Sequence, residues 1–232
     1  MHDEHVFLVS EFASKGSVES YLRSKNVIVS MEMVIRIIYE SALGICFLHD
    51  HNIVHRDIAC RNFLLDSEMH VRVADFGTAR ILNAEFQSQA AIATTKSRIG
   101  PVRWMAPESL TDGEYSFKTD VYMFGIFIWE ILHRELPYGA MEIPQIAIKV
   151  VSGMRPVINL HQQFPDVIVE IMKQCWEAEA NLRPTMDEVC AKLEPLFNKN
   201  EDNSSNSLSK DLFFVPNQYV STESVPQASN LD

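Results

Sequence analysis

Residues 55–62 read His55-Arg56-Asp57-Ile58-Ala59-Cys60-Arg61-Asn62, and the architecture of the chain can be worked out from this stretch in both directions. Upstream, Met31 to His49 places Val34, Ile38, Ala42, Ile45 and Leu48 at intervals of three and four, which predicts one apolar face of a long helix. Downstream, Phe63 to Leu65 and Val71 to Ala74 flank the polar Asp66-Ser67-Glu68 and predict a small hairpin. The hairpin ends on Asp75-Phe76-Gly77, and Ala106-Pro107-Glu108 follows beyond a long polar segment. Four further helical stretches are predicted near Lys118–His133, Pro144–Val151, Asp166–Trp176 and Met186–Phe197, with Pro156 and Pro165 among the breaks between them. At the front, Val6 to Glu11 reads as a strand, Lys15-Gly16-Ser17 breaks it, and Ser17 caps a short helix over Val18–Arg23.

Composition narrows the function classes. With 47% apolar and 22% charged residues the chain can bury a core. Twenty Lys and Arg against 31 Asp and Glu give a net charge of −11, which repels phosphate backbones, so no nucleic-acid partner is expected. Cys46, Cys60, Cys175 and Cys190 are far apart in sequence and lack Cys-x-x-Cys spacing, which reads as reduced intracellular thiols and neither a disulfide framework nor a zinc site. The amino terminus, with His2, Asp3, Glu4 and His5, is no signal peptide. The apolar run Val121–Leu132 is too short to span a bilayer and holds Glu130, so no membrane segment is expected in this chain. From Asn198 the composition turns Asn/Ser-rich and cannot offset its ordering entropy; Asp211–Val220, including Tyr219, is a small apolar island within that tail.

Asp57 and Asn62 on one rigid loop, with Asp75 at a strand end beside a glycine, suit a chemistry needing a proton-accepting carboxylate and two oxygen ligands for a cation on phosphates. H-R-D-x-x-x-x-N, D-F-G and A-P-E in this order resemble the eukaryotic protein kinases of the tyrosine-kinase and tyrosine-kinase-like group, over roughly residues 5–197. The resemblance implies a mainly α fold, the carboxy-terminal lobe of a protein kinase: a helical bundle with a short β-hairpin, the amino-terminal lobe being largely absent. It divides the chain into a strand and hinge remnant (1–13), the lobe itself (14–197) and a disordered tail (198–232). ATP, Mg²⁺ and a protein substrate are implied with it. Asp57 would be the catalytic base, Arg61 its neighbouring cation, and Asn62 and Asp75 the metal ligands. Ser10 to Ala13 resembles the adenine-contacting hinge, with Glu11 and Ala13 offering backbone contacts, Ser10 at the gatekeeper position and Leu64 beneath the adenine. Structural roles fall to His55, Arg56 and Phe76, to Asp120 under the catalytic loop, and to Glu108 paired with Arg183, since a buried charge needs a partner.

Serine/threonine kinases usually carry Lys two residues after the catalytic Asp, where this chain has Ala59; Arg61 fits the tyrosine-kinase pattern, as does Gly100–Met105 before A-P-E. Against this, Asp75 to Glu108 contains no tyrosine. Thr94, Thr95 and Ser97 are the candidate phosphosites, with Arg56 as phosphate partner. Serine/threonine specificity of the tyrosine-kinase-like type is therefore kept as an alternative.

The eight glycines include no pair one residue apart, so this sequence holds no G-x-G-x-x-G phosphate loop. Ile146-Ala147-Ile148-Lys149 imitates the lysine strand but follows A-P-E, and is expected on a surface helix. A missing amino-terminal lobe or a partner would have to supply the clamp, and the chain alone is expected to be weak or inactive. A kinase-like binding or scaffold module is the other reading. The expected location is the cytoplasm or the cytoplasmic face of a membrane protein.

Overall fold

A computed structural model describes residues 11–24, 27–82, 101–160 and 162–201, with backbone only at 200 and 201. The chain divides into a unit of residues 13–207 and a second of 1–12 with 208–232, of which only Glu11 and Phe12 are described. The strand expected at Val6–Glu11 therefore lies outside the described residues except for Glu11. Ser10, Thr94, Thr95, Ser97 and the apolar island with Tyr219 also lie outside them.

Gly16 and Ser17, read from sequence as a break, instead form strand β1 (Gly16–Ser17). Gly16 has φ +77, a conformation a side chain would strain, and this lets the chain turn onto its neighbour. Ser17 Oγ accepts from Ser20 N–H at 3.1 Å and opens α1 (Val18–Arg23) as predicted. In α2 (Met31–Asp50), capped by Ser30 through Met33 N–H, the predicted apolar face is buried together with Ile35 and Ile37. Strand β2 (Ile53–Val54) precedes the H-R-D stretch, and β3 (Phe63–Leu65) and β4 (Val71–Val73) form the predicted hairpin. The hairpin acquires β1 as a third, antiparallel strand, Gly16 opposite Leu65 and Ser17 opposite Leu64. Strand β5 (Arg80–Ile81) returns antiparallel to β2, so the chain leaving Asp75 is tied to the chain entering His55.

The remaining helices are α3 (Pro107–Thr111), α4 (Phe117–His133), α5 (Ile143–Val151), α6 (Asp166–Cys175) and α7 (Met186–Glu201). Every residue from Thr119 to Leu132 of α4 is buried, the burial expected of a helix apolar on all sides. Gly125 brings α6 close to it: a Cβ there would lie 3.0 Å from both Met172 O and Cys175 Cβ. Phe63 of β3 packs on Phe127 of α4 with ring centroids 4.6 Å apart. A reciprocal cap at Thr185 and Glu188 opens α7, each backbone N–H donating to the other's side chain at 2.8 and 3.2 Å. α7 extends to Glu201, which corrects the boundary at 198: Pro195 stands within the helix, and the composition shift at Asn198 does not end it. Lys149 is exposed on α5, so the lysine-strand imitation is helical, as expected. Among the described residues no helix is long and apolar enough to cross a membrane.

Candidate active site

The H-R-D stretch leaves β2 in a conformation that side chains alone would not select. Arg56 has φ +71, a left-handed backbone that costs roughly 1–3 kcal/mol for a non-glycine residue. Asp120, in the first turn of α4 and fully buried, holds it there. Its Oδ2 accepts from His55 N–H at 2.7 Å and its Oδ1 from Arg56 N–H at 2.9 Å, and His49 Nε2 lies 3.1 Å from Oδ2. The support predicted for Asp120 is thus a pair of charge-assisted bonds to the loop's own backbone.

His55 then links the loop to the end of the hairpin. Its Nδ1 accepts from Asp57 N–H at 3.3 Å while its Nε2 meets Ala74 O at 3.1 Å. An amide can only donate and a carbonyl only accept, which assigns the proton to Nε2. Ala74 N–H donates to Asn62 O at 2.9 Å, and Thr78 Oγ1 to His55 O at 3.0 Å. The turn bearing Asp57 and the turn bearing Asp75 are therefore joined by a ring, a backbone bond and a hydroxyl. Phe76 packs on His55, ring centroids 5.6 Å apart.

Asn62 is buried and its Nδ2 donates to Asp57 O at 2.8 Å, which leaves its amide oxygen for another partner. Asp57 Oδ1 pairs with Arg61 Nη2; among the described residues Oδ2 has no protein donor. Arg61 also lies over the Trp104 ring, 4.7 Å from its centroid. Asp75 is exposed, in a left-handed conformation (φ 59, ψ 71), with Oδ1 accepting from Gly77 N–H at 3.3 Å. Asn62 and Asp75 thus offer hard oxygens, the donor type that suits Mg²⁺.

Ala13 O accepts from Gly16 N–H at 3.3 Å in the turn before β1, and Leu64 lies opposite Ser17 on β3. Glu11 belongs to the other unit. Arg56 lies with its guanidinium 4.0 Å from the centroid of Tyr115. Glu108 and Arg183 pair through two bonds of 2.5 and 2.9 Å, as predicted.

Glu130 was missed as a functional group. The sequence reading used it only to argue against a membrane span, yet it is buried and joins three elements. Its Oε2 accepts from Cys60 N–H at 3.0 Å and from Trp104 Nε1–H at 3.1 Å, and its Oε1 lies 3.5 Å from Arg23 Nη2. It therefore connects the catalytic loop to the segment before A-P-E. A charge inside the long apolar run Val121–Leu132 was the available signal. Burial raises its pKa against these donors. We expect Glu130→Ala to cost about 2–4 kcal/mol in urea unfolding, because two buried N–H groups lose their acceptor. Glu130→Gln keeps one acceptor oxygen and should cost far less. A raised carboxyl pKa contributes stability that is complete below the ordinary glutamate value and lost as pH rises through the folded value. The stability of wild type relative to the Gln variant should therefore fall across that window, and a pH-independent difference would contradict the assignment. Cys60 is fully buried and its thiol pKa is pushed well up by burial, the behaviour of a small hydrophobe and not of a reactive nucleophile.

The sequence profile described as protein tyrosine and serine/threonine kinase matches residues 1–193, which includes the residues read above as a remnant. The chain is 34% identical over 83% of its length to serine/threonine-protein kinase STY46 of Arabidopsis thaliana, spanning 32% of that protein. It is 34% identical over 84% of its length to the human cytoplasmic tyrosine-protein kinase BMX, spanning 28%. It is 35% identical over 81% of its length to serine/threonine/tyrosine-protein kinase HT1 of Arabidopsis thaliana, spanning 46%. The chain therefore covers less than half the length of each of these relatives. With an aspartate-supported H-R-D loop bonded to a D-F-G turn, and a profile match over most of its residues, this chain belongs to the protein tyrosine and serine/threonine kinase family.

Proposed function

We propose that the 13–201 region is the catalytic-loop lobe of a protein kinase that moves a phosphoryl group from ATP to a protein hydroxyl. The observation that carries this reading is the His55 ring, bonded at one nitrogen to Asp57 and at the other to the residue before Asp75. Asp57 Oδ2 is the proton acceptor for the substrate hydroxyl, with Oδ1 steadied by Arg61. Asn62 and Asp75 would hold Mg²⁺, which would supply positive charge against the phosphates. Ala13 and Leu64 would line the adenine side.

Tyrosine specificity is the favoured finer reading, because Arg61 sits between Asp57 and Trp104, where a cation can face a phenolic oxygen. One observation favours serine and threonine instead: the stretch from Asp75 to Glu108 has no tyrosine to serve as its own phosphosite. A cytoplasmic setting, in a soluble protein or beside a membrane, follows from the substrate class.

The sequence has no G-x-G-x-x-G and no strand lysine, and loss of a single preorganised donor costs on the order of 10²–10³ in rate. The 232-residue chain alone should therefore show little turnover on a mixed tyrosine, serine and threonine peptide array. Joined to a small lobe carrying those groups, it should phosphorylate, and Asp57→Asn should cut that rate by about 10²–10⁴ without unfolding the protein. Turnover that survives Asp57→Asn would remove the assigned base.

A further inference from the structure

Helices α2 and α7 bring together side chains 141 residues apart in sequence. Cys46 and Asp50 lie one turn apart on α2, and Asp187 and Cys190 one turn apart on α7, so each pair shares a helix face. One ligand-capable atom from each of Cys46, Asp50 and Asp187 lies within 4.8 Å of the other two. Cys46 Sγ is 3.3 Å from Asp187 Oδ1. The wide sequence separation of the cysteines had argued against any such grouping.

We propose that Cys46, Asp50 and Asp187 form a three-residue surface site for a thiophilic divalent cation of the zinc class, with a fourth position open to water. A thiolate beside two carboxylates suits zinc over the hard cations, which take oxygen alone. With Zn–S and Zn–O bonds of about 2.3 and 2.1 Å, a tetrahedral S–O edge is about 3.6 Å, close to the separation present. The site is open: both aspartates are exposed and Cys46 is partly so. Among the described residues neither aspartate is engaged by a lysine, arginine or histidine in an ion pair. Bound, the cation would clamp the two helices, away from the catalytic loop.

The test is a Co²⁺ titration of the full chain in a non-thiol, non-chelating reductant, reading the thiolate-to-cobalt charge-transfer absorbance. The expected result is a band saturating at one cobalt per chain and removed by Zn²⁺. Cys46→Ser should abolish it; the other two cysteines, Cys60 and Cys175, are fully buried and cannot replace it. Asp50→Asn and Asp187→Asn alter exposed side chains and leave the core intact, so they test the site even if Cys46→Ser misfolds. Each should weaken Co²⁺ at least by the ~10-fold that loss of even an outer-shell partner costs. Cys190→Ser, outside this set of three, should leave the band in place. The proposal is overturned by absence of the band, by a band unchanged in the aspartate variants, or by Ca²⁺ competing as well as Zn²⁺. None of these readouts depends on phosphotransfer.

Discussion

Arg183→Ala should lower the stability of this fold by about 3–5 kcal/mol, the cost of leaving one partner of a buried pair alone. The Arg183 side chain is fully buried and spends all five N–H donors. Two go to Glu108, and the others to Glu177 O, Lys118 O and Ala178 O at 2.8, 2.9 and 3.1 Å. One guanidinium thus pins the A-P-E helix α3 to α4 and to the turn before α7. For a unit of this size the loss corresponds to a fall in Tm of roughly 10 °C. Arg183→Lys should recover little, since an ammonium has three donors and cannot span this set of acceptors. Replacing both partners, Glu108→Leu with Arg183→Met, should cost less than the two single changes summed, because no unpaired charge remains. A Tm for Arg183→Ala within about 2 °C of wild type would show that the pair is not what holds this corner.

The second large effect is expected at Asp120. Asp120→Ala leaves the buried amides of His55 and Arg56 without acceptors and should cost about 3–5 kcal/mol. Asp120→Asn should be nearly as damaging. Its one amide oxygen can serve one of the two N–H groups, while its own NH₂ faces the other. The change should be local as well as global: hydrogen exchange at residues 55–62 should accelerate while α5 keeps its protection, because Arg56 is no longer held at positive φ. In a kinase completed with its small lobe, the freed loop should lose turnover comparably to Asp57→Asn, since a misplaced base is as ineffective as an absent one. Unchanged exchange across 55–62 would refute the role given to Asp120.

The helices were legible because their residues repeat at intervals of three and four and because caps are local. Ser17, Ser30 and the Thr185–Glu188 pair each satisfy N–H groups within three residues of themselves. The hairpin was legible for the same reason. Asp66 Oδ1 accepts from Glu68 and His70 N–H, both at 2.9 Å, within the turn it closes. Asp57, Asn62 and Asp75 were legible as candidates from their motifs, and the structure joins the two turns that carry them.

Strands β1, β2 and β5 are two residues each and have no periodicity to detect, so they exist only as partners of something distant in the chain. Glu130 and the Cys46 cluster were invisible for the same reason. A buried carboxylate's meaning lies in the donors brought to it, here from residues 70 and 26 positions away, and two helices that pack do not announce their register in one dimension. Sequence alone determined the family and every helix but α3, since spacing and residue chemistry are local. Only the tertiary structure decided which buried charges are satisfied and which remote thiols and carboxylates meet, because those depend on long-range packing that no local pattern encodes.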